Sequence, residues 1–286
     1  MKKYDFLSLA SALMALTSSL IGLFYSFGGE SREVLTHTGL NVKIFGDGIY
    51  KNDTLMKAAT TKGTDAAIII FSVLLIILVF NESRSKKLTL VKTGILSSLL
   101  YNSICLTMGV TINSLFALYI AMFSATLFSF IRNFTGCLAH LKPDKAYADK
   151  KHIGSIVFLT VSGCSVLIWL TFIIPAMVSG DPYSSIETLE IYCSEPTFVL
   201  DLGVILPCCI ICATGICKRK NTAFILSSVL YTGITAVGIC VICQTFMQMS
   251  LGIIFKPGQY IGLVGTFVIL GGISAAMNTR VLRALR

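Results

Sequence analysis

The chain has 286 residues, of which 55% are hydrophobic and only 13% charged, and its mean hydropathy is +0.81. That balance excludes an ordinary soluble domain. The net charge of +9 does not mark a nucleic-acid surface, because Lys and Arg lie in short clusters between apolar runs rather than gathered on one solvated face.

An apolar run of about 18 residues or more crosses a hydrocarbon core of roughly 30 Å as a helix, and eight such runs can be marked. The first, Phe6 to Phe27, follows Lys2 and Lys3 and is too long for the apolar core of a signal peptide, so it reads as an uncleaved membrane helix. Residues 28–64 form a long polar segment. Within it, Val34-Leu35 and Val42-Ile44-Phe45 flank Gly39 as a short hairpin, and Gly46-Asp47-Gly48 signals a turn. Asp53 is positioned to cap a short helix over Thr54 to Ala59.

The second span, Asp65 to Phe80, ends at Arg84, Lys86, Lys87 and Lys92. The third, Thr93 to Thr111, sets Ser98, Asn102, Cys105 and Gly109 on one face, which should look into the bundle. The fourth, Ser114 to Ile131, repeats Ala117, Ala121, Ala125 and Ser129 as a close-packing seam. A basic loop with Pro143 leads to the fifth, Ile153 to Ala176, which holds the single tryptophan, Trp169. After an acidic segment (177–196) come the sixth, Thr197 to Cys217, and the seventh, Thr222 to Gln248. The eighth, beyond Pro257, carries a seam of Gly258, Gly262, Gly265, Gly272 and Ala276.

With both termini inside, 17 of the 23 Lys and Arg fall on the cytoplasmic side, and six on the outer side: Arg32, Lys43, Lys51, Lys57, Lys62 and Lys256. That bias sets the orientation. Ile95 to Tyr101, ILSSLLY, reappears as Ile225 to Tyr231, ILSSVLY, and spans one to four share the loop layout of spans five to eight. The fold class is therefore all-α: a polytopic transmembrane bundle of eight helices with a 4+4 parallel internal repeat, its halves 1–152 and 153–286.

One carboxylate stands out. Asp201 lies within the apolar stretch Thr197 to Pro207, about 25 Å above the inner boundary by helical rise, shallow on the outer side. Pro207 cannot donate to the carbonyl of Gly203, so a kink is expected below Asp201. If the halves repeat, Asp65 is its counterpart. The ligand-binding candidates are thus Asp201, Asp65, Asn102, Tyr101, Gly203 and Gln244 around an outward-facing cavity. The alternatives are a membrane-embedded enzyme using Asp65 and Asp201 as acid and base, or an assembly partner docking through 28–64.

Ten cysteines include Cys209-x-x-Cys212 and Cys240-x-x-Cys243. These pairs differ in depth by roughly 18 Å and so form no zinc site, and no cofactor motif or catalytic signature is present. GDGIYKND (46–53), LYNS (100–103) and TFVLDLGVILP (197–207) resemble a family of uncharacterised bacterial multi-pass membrane proteins. That resemblance implies a multi-pass protein of the bacterial cell membrane and supplies no activity. The partners expected are the lipid bilayer and a small or amphipathic ligand, with no nucleic acid.

Overall fold

A computed structural model describes residues 5–36, 39–81, 85–179 and 189–285. Lys2, Lys3, Arg84, Asp181, Glu187 and Arg286, which enter the charge reading above, lie outside them. Among the described residues, eight helices are long and apolar enough to cross a membrane: Phe6–Phe24, Leu55–Asn81, Lys86–Gly109, Phe116–His140, Ile153–Val178, Pro196–Cys217, Asn221–Ser250 and Tyr260–Ala284. The all-α bundle is as expected, but several helices outrun their apolar runs. Span two begins at Leu55, ten residues before Asp65, so the short helix expected over 54–59 is its first turns. Asp53 does not cap it. The Thr54 hydroxyl accepts from the Lys57 N–H instead, at 3.3 Å. Span three likewise starts at Lys86, where the Ser85 hydroxyl accepts from the Lys87 N–H. Hydropathy marks where lipid contacts a helix, not where the helix ends.

Between spans one and two, Arg32–Leu35 pairs antiparallel with Asn41–Ile44 as the expected hairpin. The turn glycines Gly46 and Gly48 have φ of +85° and +60°. Between them, the Asp47 carboxylate accepts from the Ser26 hydroxyl (2.6 Å) and from the N–H groups of Phe27 (2.9 Å) and Gly29 (3.2 Å). Its slight burial opposes ionisation, but these donors outweigh it and hold the carboxyl down at about 2. The loop is thereby pinned to the end of span one.

Close helix approach depends on small residues, though not always the expected ones. Span one buries Ser8, Ser11, Ala12, Ala15, Ser18, Ser19 and Gly22 against spans two and four. In span four, Ala117 and Ala121 are exposed, and the buried face is Tyr119, Met122, Ala125, Thr126, Ser129 and Asn133. In span eight, Gly258, Gly262, Gly272 and Ala276 are exposed. Its inward glycine is Gly271, one position over, because there Gly238 of span seven brings the two backbones together, and a Cβ on Gly271 would lie 3.3 Å from the Cα of Gly238.

Two hydrophobic cores result. One joins spans one to four with the loop residues Phe45, Ile49 and Tyr50 and with Ala236 of span seven, and the other joins spans five to eight with Leu90, Cys137 and Leu141 from the opposite end of the first four. Spans two and three pack against span seven, where Gly94 admits Thr232 and Gly63 admits the backbone at Gln244.

Candidate functional site

Spans five and six are both irregular, and at the same place. Span five changes from α-helix at Ser165 to a 3-10 segment, Val166–Trp169, before resuming as α-helix. Span six changes after Leu200 to a π-helical segment, Asp201–Ile205, in which the N–H of Leu206 donates to the carbonyl of Asp201. Pro207 at the next position has no N–H to continue the ordinary ladder. The two irregular segments pack on each other. Asp201 ties them together: its Oδ2 accepts from Trp169 Nε1 at 2.8 Å, while its Oδ1 accepts from the Tyr101 hydroxyl of span three at 3.0 Å. Among the described residues no Lys or Arg lies within ion-pair distance of it.

Beyond this group, at the same end of the bundle, the connecting segments lock down. Lys57 pairs with Glu195 at 2.8 Å and lies over the Tyr192 ring, 5.2 Å from its centroid. Gly109 lets the end of span three reach Pro196 at the start of span six; a Cβ there would lie 2.8 Å from the proline ring. Asp53 accepts from the Thr111 N–H (2.7 Å) and the Tyr192 hydroxyl (2.9 Å). Burial pushes the Asp53 carboxyl up, with these donors opposing, and burial pushes the Tyr192 hydroxyl up as well.

Asp65 is elsewhere. It lies ten residues inside span two, 1% exposed, and accepts from the Tyr50 hydroxyl at 2.8 Å. One turn before it, Lys62 donates to the carbonyls of Gly22 (3.0 Å) and Leu23 (2.9 Å), at the carbonyl end of span one where a cation is favoured. Asp65 and Asp201 share no hydrogen-bond partner.

Of the remaining candidates, Tyr101 meets Asp201 as described. Asn102 is buried, and its Nδ2 has no hydrogen-bond partner. Gly203 is exposed, with no atom within 4 Å of where a Cβ would stand. Gln244 donates to Thr64 Oγ1 at 2.7 Å across the seam with span two, so its amide is engaged in helix pairing. A cleft of about 240 Å³ opens between spans two, three, seven and eight, lined by Phe71, Ile95, Ser98, Thr232 and Asn278 among others. None of the six candidates lines it.

Sequence reasoning missed two groups. Trp169 was visible as the lone tryptophan, and a half-buried indole N–H that needs an acceptor was the available signal. Asp5 and Lys92 are the larger omission. Asp5 caps span one and accepts from the Ser8 hydroxyl (2.6 Å), Lys92 Nζ (2.9 Å) and Asn133 Nδ2 (2.8 Å), joining spans one, three and four. Lys92 is 1% exposed, although its place in a basic cluster suggested a solvated loop. Among the described residues no group of three or more His, Cys, Asp or Glu could hold a metal ion, and the two Cys-x-x-Cys pairs belong to different cores.

No protein-family model, no curated protein and no solved structure matches the chain. What stands of the resemblance stated above is the eight-span architecture.

Proposed function

We propose that the protein is a non-enzymatic bundle of the cell membrane that binds a small or amphipathic ligand, as a transporter or a sensor, with Asp201 as its working group. The observation that carries this reading is the meeting of the 3-10 segment of span five with the π segment of span six, fastened by one carboxylate that bonds Trp169 and, through Tyr101, span three. Paired helix discontinuities within a membrane are a common setting for ligand and ion sites. A carboxylate there without a cation is costly, which favours a functional reason for it. Asn102, one residue from Tyr101, is included as a polar group with unused donor capacity. Asp65 is assigned a structural role.

The test is a solute and lipid screen on purified wild type and Asp201→Asn, read by thermal stability and by the emission of Trp169, the sole tryptophan. At least one ligand should stabilise the wild type and fail to stabilise the variant. If every stabilising ligand acts equally on both, Asp201 has no direct part in binding.

The orientation, with both termini cytoplasmic, belongs to the same proposal and rests on the Lys and Arg bias. Two exposed cysteines at opposite ends of the bundle report it. In intact cells, a membrane-impermeant maleimide should label Cys193 and spare Cys217, and the reverse pattern would invert the topology. The 4+4 duplication is supported by helix pairings one–two, two–three and three–four that recur as five–six, six–seven and seven–eight, and by the contact between the spans carrying the repeated heptapeptides. It must accommodate two asymmetries: spans one and four pack on each other without a comparable pairing of five and eight, and Tyr101 turns to Asp201, whereas Tyr231 packs on Phe158.

A further inference from the structure

We propose that the Asp201 site takes an organic cation with an apolar body, its charge set against the carboxylate and its flank against the rings of Trp169, Phe172 and Phe198. This rests on the reading of Asp201 as a ligand-binding group. Charge balance comes first. The carboxylate accepts two bonds, both from neutral donors, and a carboxylate has about four acceptor positions, so unused capacity for a cationic donor remains. The nearby ammonium of Lys57 is already paired with Glu195. An anion would find nothing to oppose the carboxylate.

The rings supply the second half of the site. Trp169 lies 5.0 Å from Phe198 and 6.3 Å from Phe172 between centroids, and Phe172 and Phe198 stack at 6.2 Å with planes 19° apart. Aromatic faces are electron-rich and attract cations within about 6 Å. A cluster of three beside a carboxylate therefore suits an organic cation better than a bare metal ion, which needs several oxygen ligands that these residues do not supply.

Access is from the lipid side. Phe172 is 46% exposed and Val199 is 62% exposed, both on the outward face of spans five and six, and the flank at Gly203 is open. A ligand arriving this way must partition into the membrane, so it must carry apolar surface with its charge.

The decisive experiment uses the full chain in nanodiscs with two ions of the same shape and opposite sign, tetraphenylphosphonium and tetraphenylborate, followed by equilibrium dialysis and Trp169 emission. Tetraphenylphosphonium should bind saturably and quench or shift Trp169, and Asp201→Asn should weaken it by about tenfold or more, the loss of a charge-assisted contact. Phe172→Ala, at a half-exposed position that should fold normally, should weaken it by about two- to fivefold. Tetraphenylborate should show only unsaturable partitioning. Equal binding of the two ions, or cation binding untouched by both substitutions, overturns the proposal. If the broader screen finds an Asp201-dependent ligand that is neutral or anionic, the cation assignment falls while Asp201 keeps its role. If no ligand of any class depends on Asp201, the underlying reading fails.

Discussion

Replacing Lys92 by methionine is expected to destabilise the folded bundle by about 3 kcal/mol at neutral pH, the low end of what removing one partner of a buried ion pair costs. Methionine roughly preserves the volume and apolar stem of the lysine, so the loss isolates the charge. What remains is the Asp5 carboxylate, about 5% exposed, with neutral donors from Ser8 and Asn133. Arg132 stands 3.5 Å from its other oxygen but is 65% exposed, so it compensates only in part. This places the expectation at the low end of the range. In the intact protein, burial raises the Asp5 carboxyl, yet the bonds from Ser8, Asn133 and Lys92 and the Lys92 charge prevail and hold it well below the ordinary carboxylate value. A folded pKa below the unfolded one contributes stability that is complete above the unfolded value of about 3.8 and disappears as pH falls through the folded value. In Lys92→Met the carboxyl can protonate more readily, so the deficit against wild type should shrink as the solution is acidified. Unfolding in mixed micelles across pH measures this, and the double variant with Asp5→Asn should recover part of the loss; with the Asp5→Asn single variant it completes the cycle that gives the coupling energy. A variant as stable as wild type at neutral pH would show that the pair does not hold spans one, three and four together.

Eight spans were legible because an apolar run of membrane length has few other uses, and the hairpin was legible because Gly39 separates two alternating segments. The helix ends were not. Span two extends toward its N-terminus through Lys57 and Lys62, residues that look like loop, because each finds a specific partner: Glu195 for one and the last carbonyls of span one for the other. The same blindness hid Asp5 and Lys92. They are 87 residues apart, and nothing local to either says that they meet. At the candidate site, Asp201 was legible as a charge in an apolar span and Tyr101 as a neighbour by depth. The discontinuities were half legible: Pro207 forecasts a disturbed ladder in span six, but no proline or glycine within Val166–Trp169 forecasts the 3-10 segment of span five. The small-residue seams went astray by rotation, in two ways. In span four a step of four residues drifts against the helix repeat of 3.6, so Ala125 and Ser129 lie on the buried face while Ala117 and Ala121 have left it; in span eight the chosen small residues keep phase with one another but Gly258, Gly262, Gly272 and Ala276 are exposed, and the buried glycine is Gly271.

Gly63→Ala should destabilise the protein by about 2 kcal/mol, and the reasons bear on what Gln244 can do. A Cβ at Gly63 would run into the Cα of Gln244 and lie 2.7 Å from its backbone N and 2.8 Å from the carbonyl oxygen of Cys243. These are backbone atoms of span seven, which cannot rotate away as a side chain would, so spans two and seven must separate. Overpacking of this kind costs about 1–3 kcal/mol, and the gain in helix propensity from Gly to Ala, at most about 1 kcal/mol, does not offset the upper part of that range. Separation also strains the bonds that Gln244 gives Thr64 (2.7 Å) and Gln248 gives Thr60 (2.9 Å). Gly233→Ala in span seven is the matched control. Nothing lies within 4 Å of its Cβ position, so it should be neutral or stabilising by about 0.5–1 kcal/mol. Unfolding of the two variants side by side decides the matter. If Gly63→Ala proves as stable as Gly233→Ala, the seam between spans two and seven opens at little cost, and Gln244 becomes available to a ligand; if it is destabilised as expected, the Gln244 amide is committed to holding the helices together and leaves the ligand site to Asp201 and its neighbours.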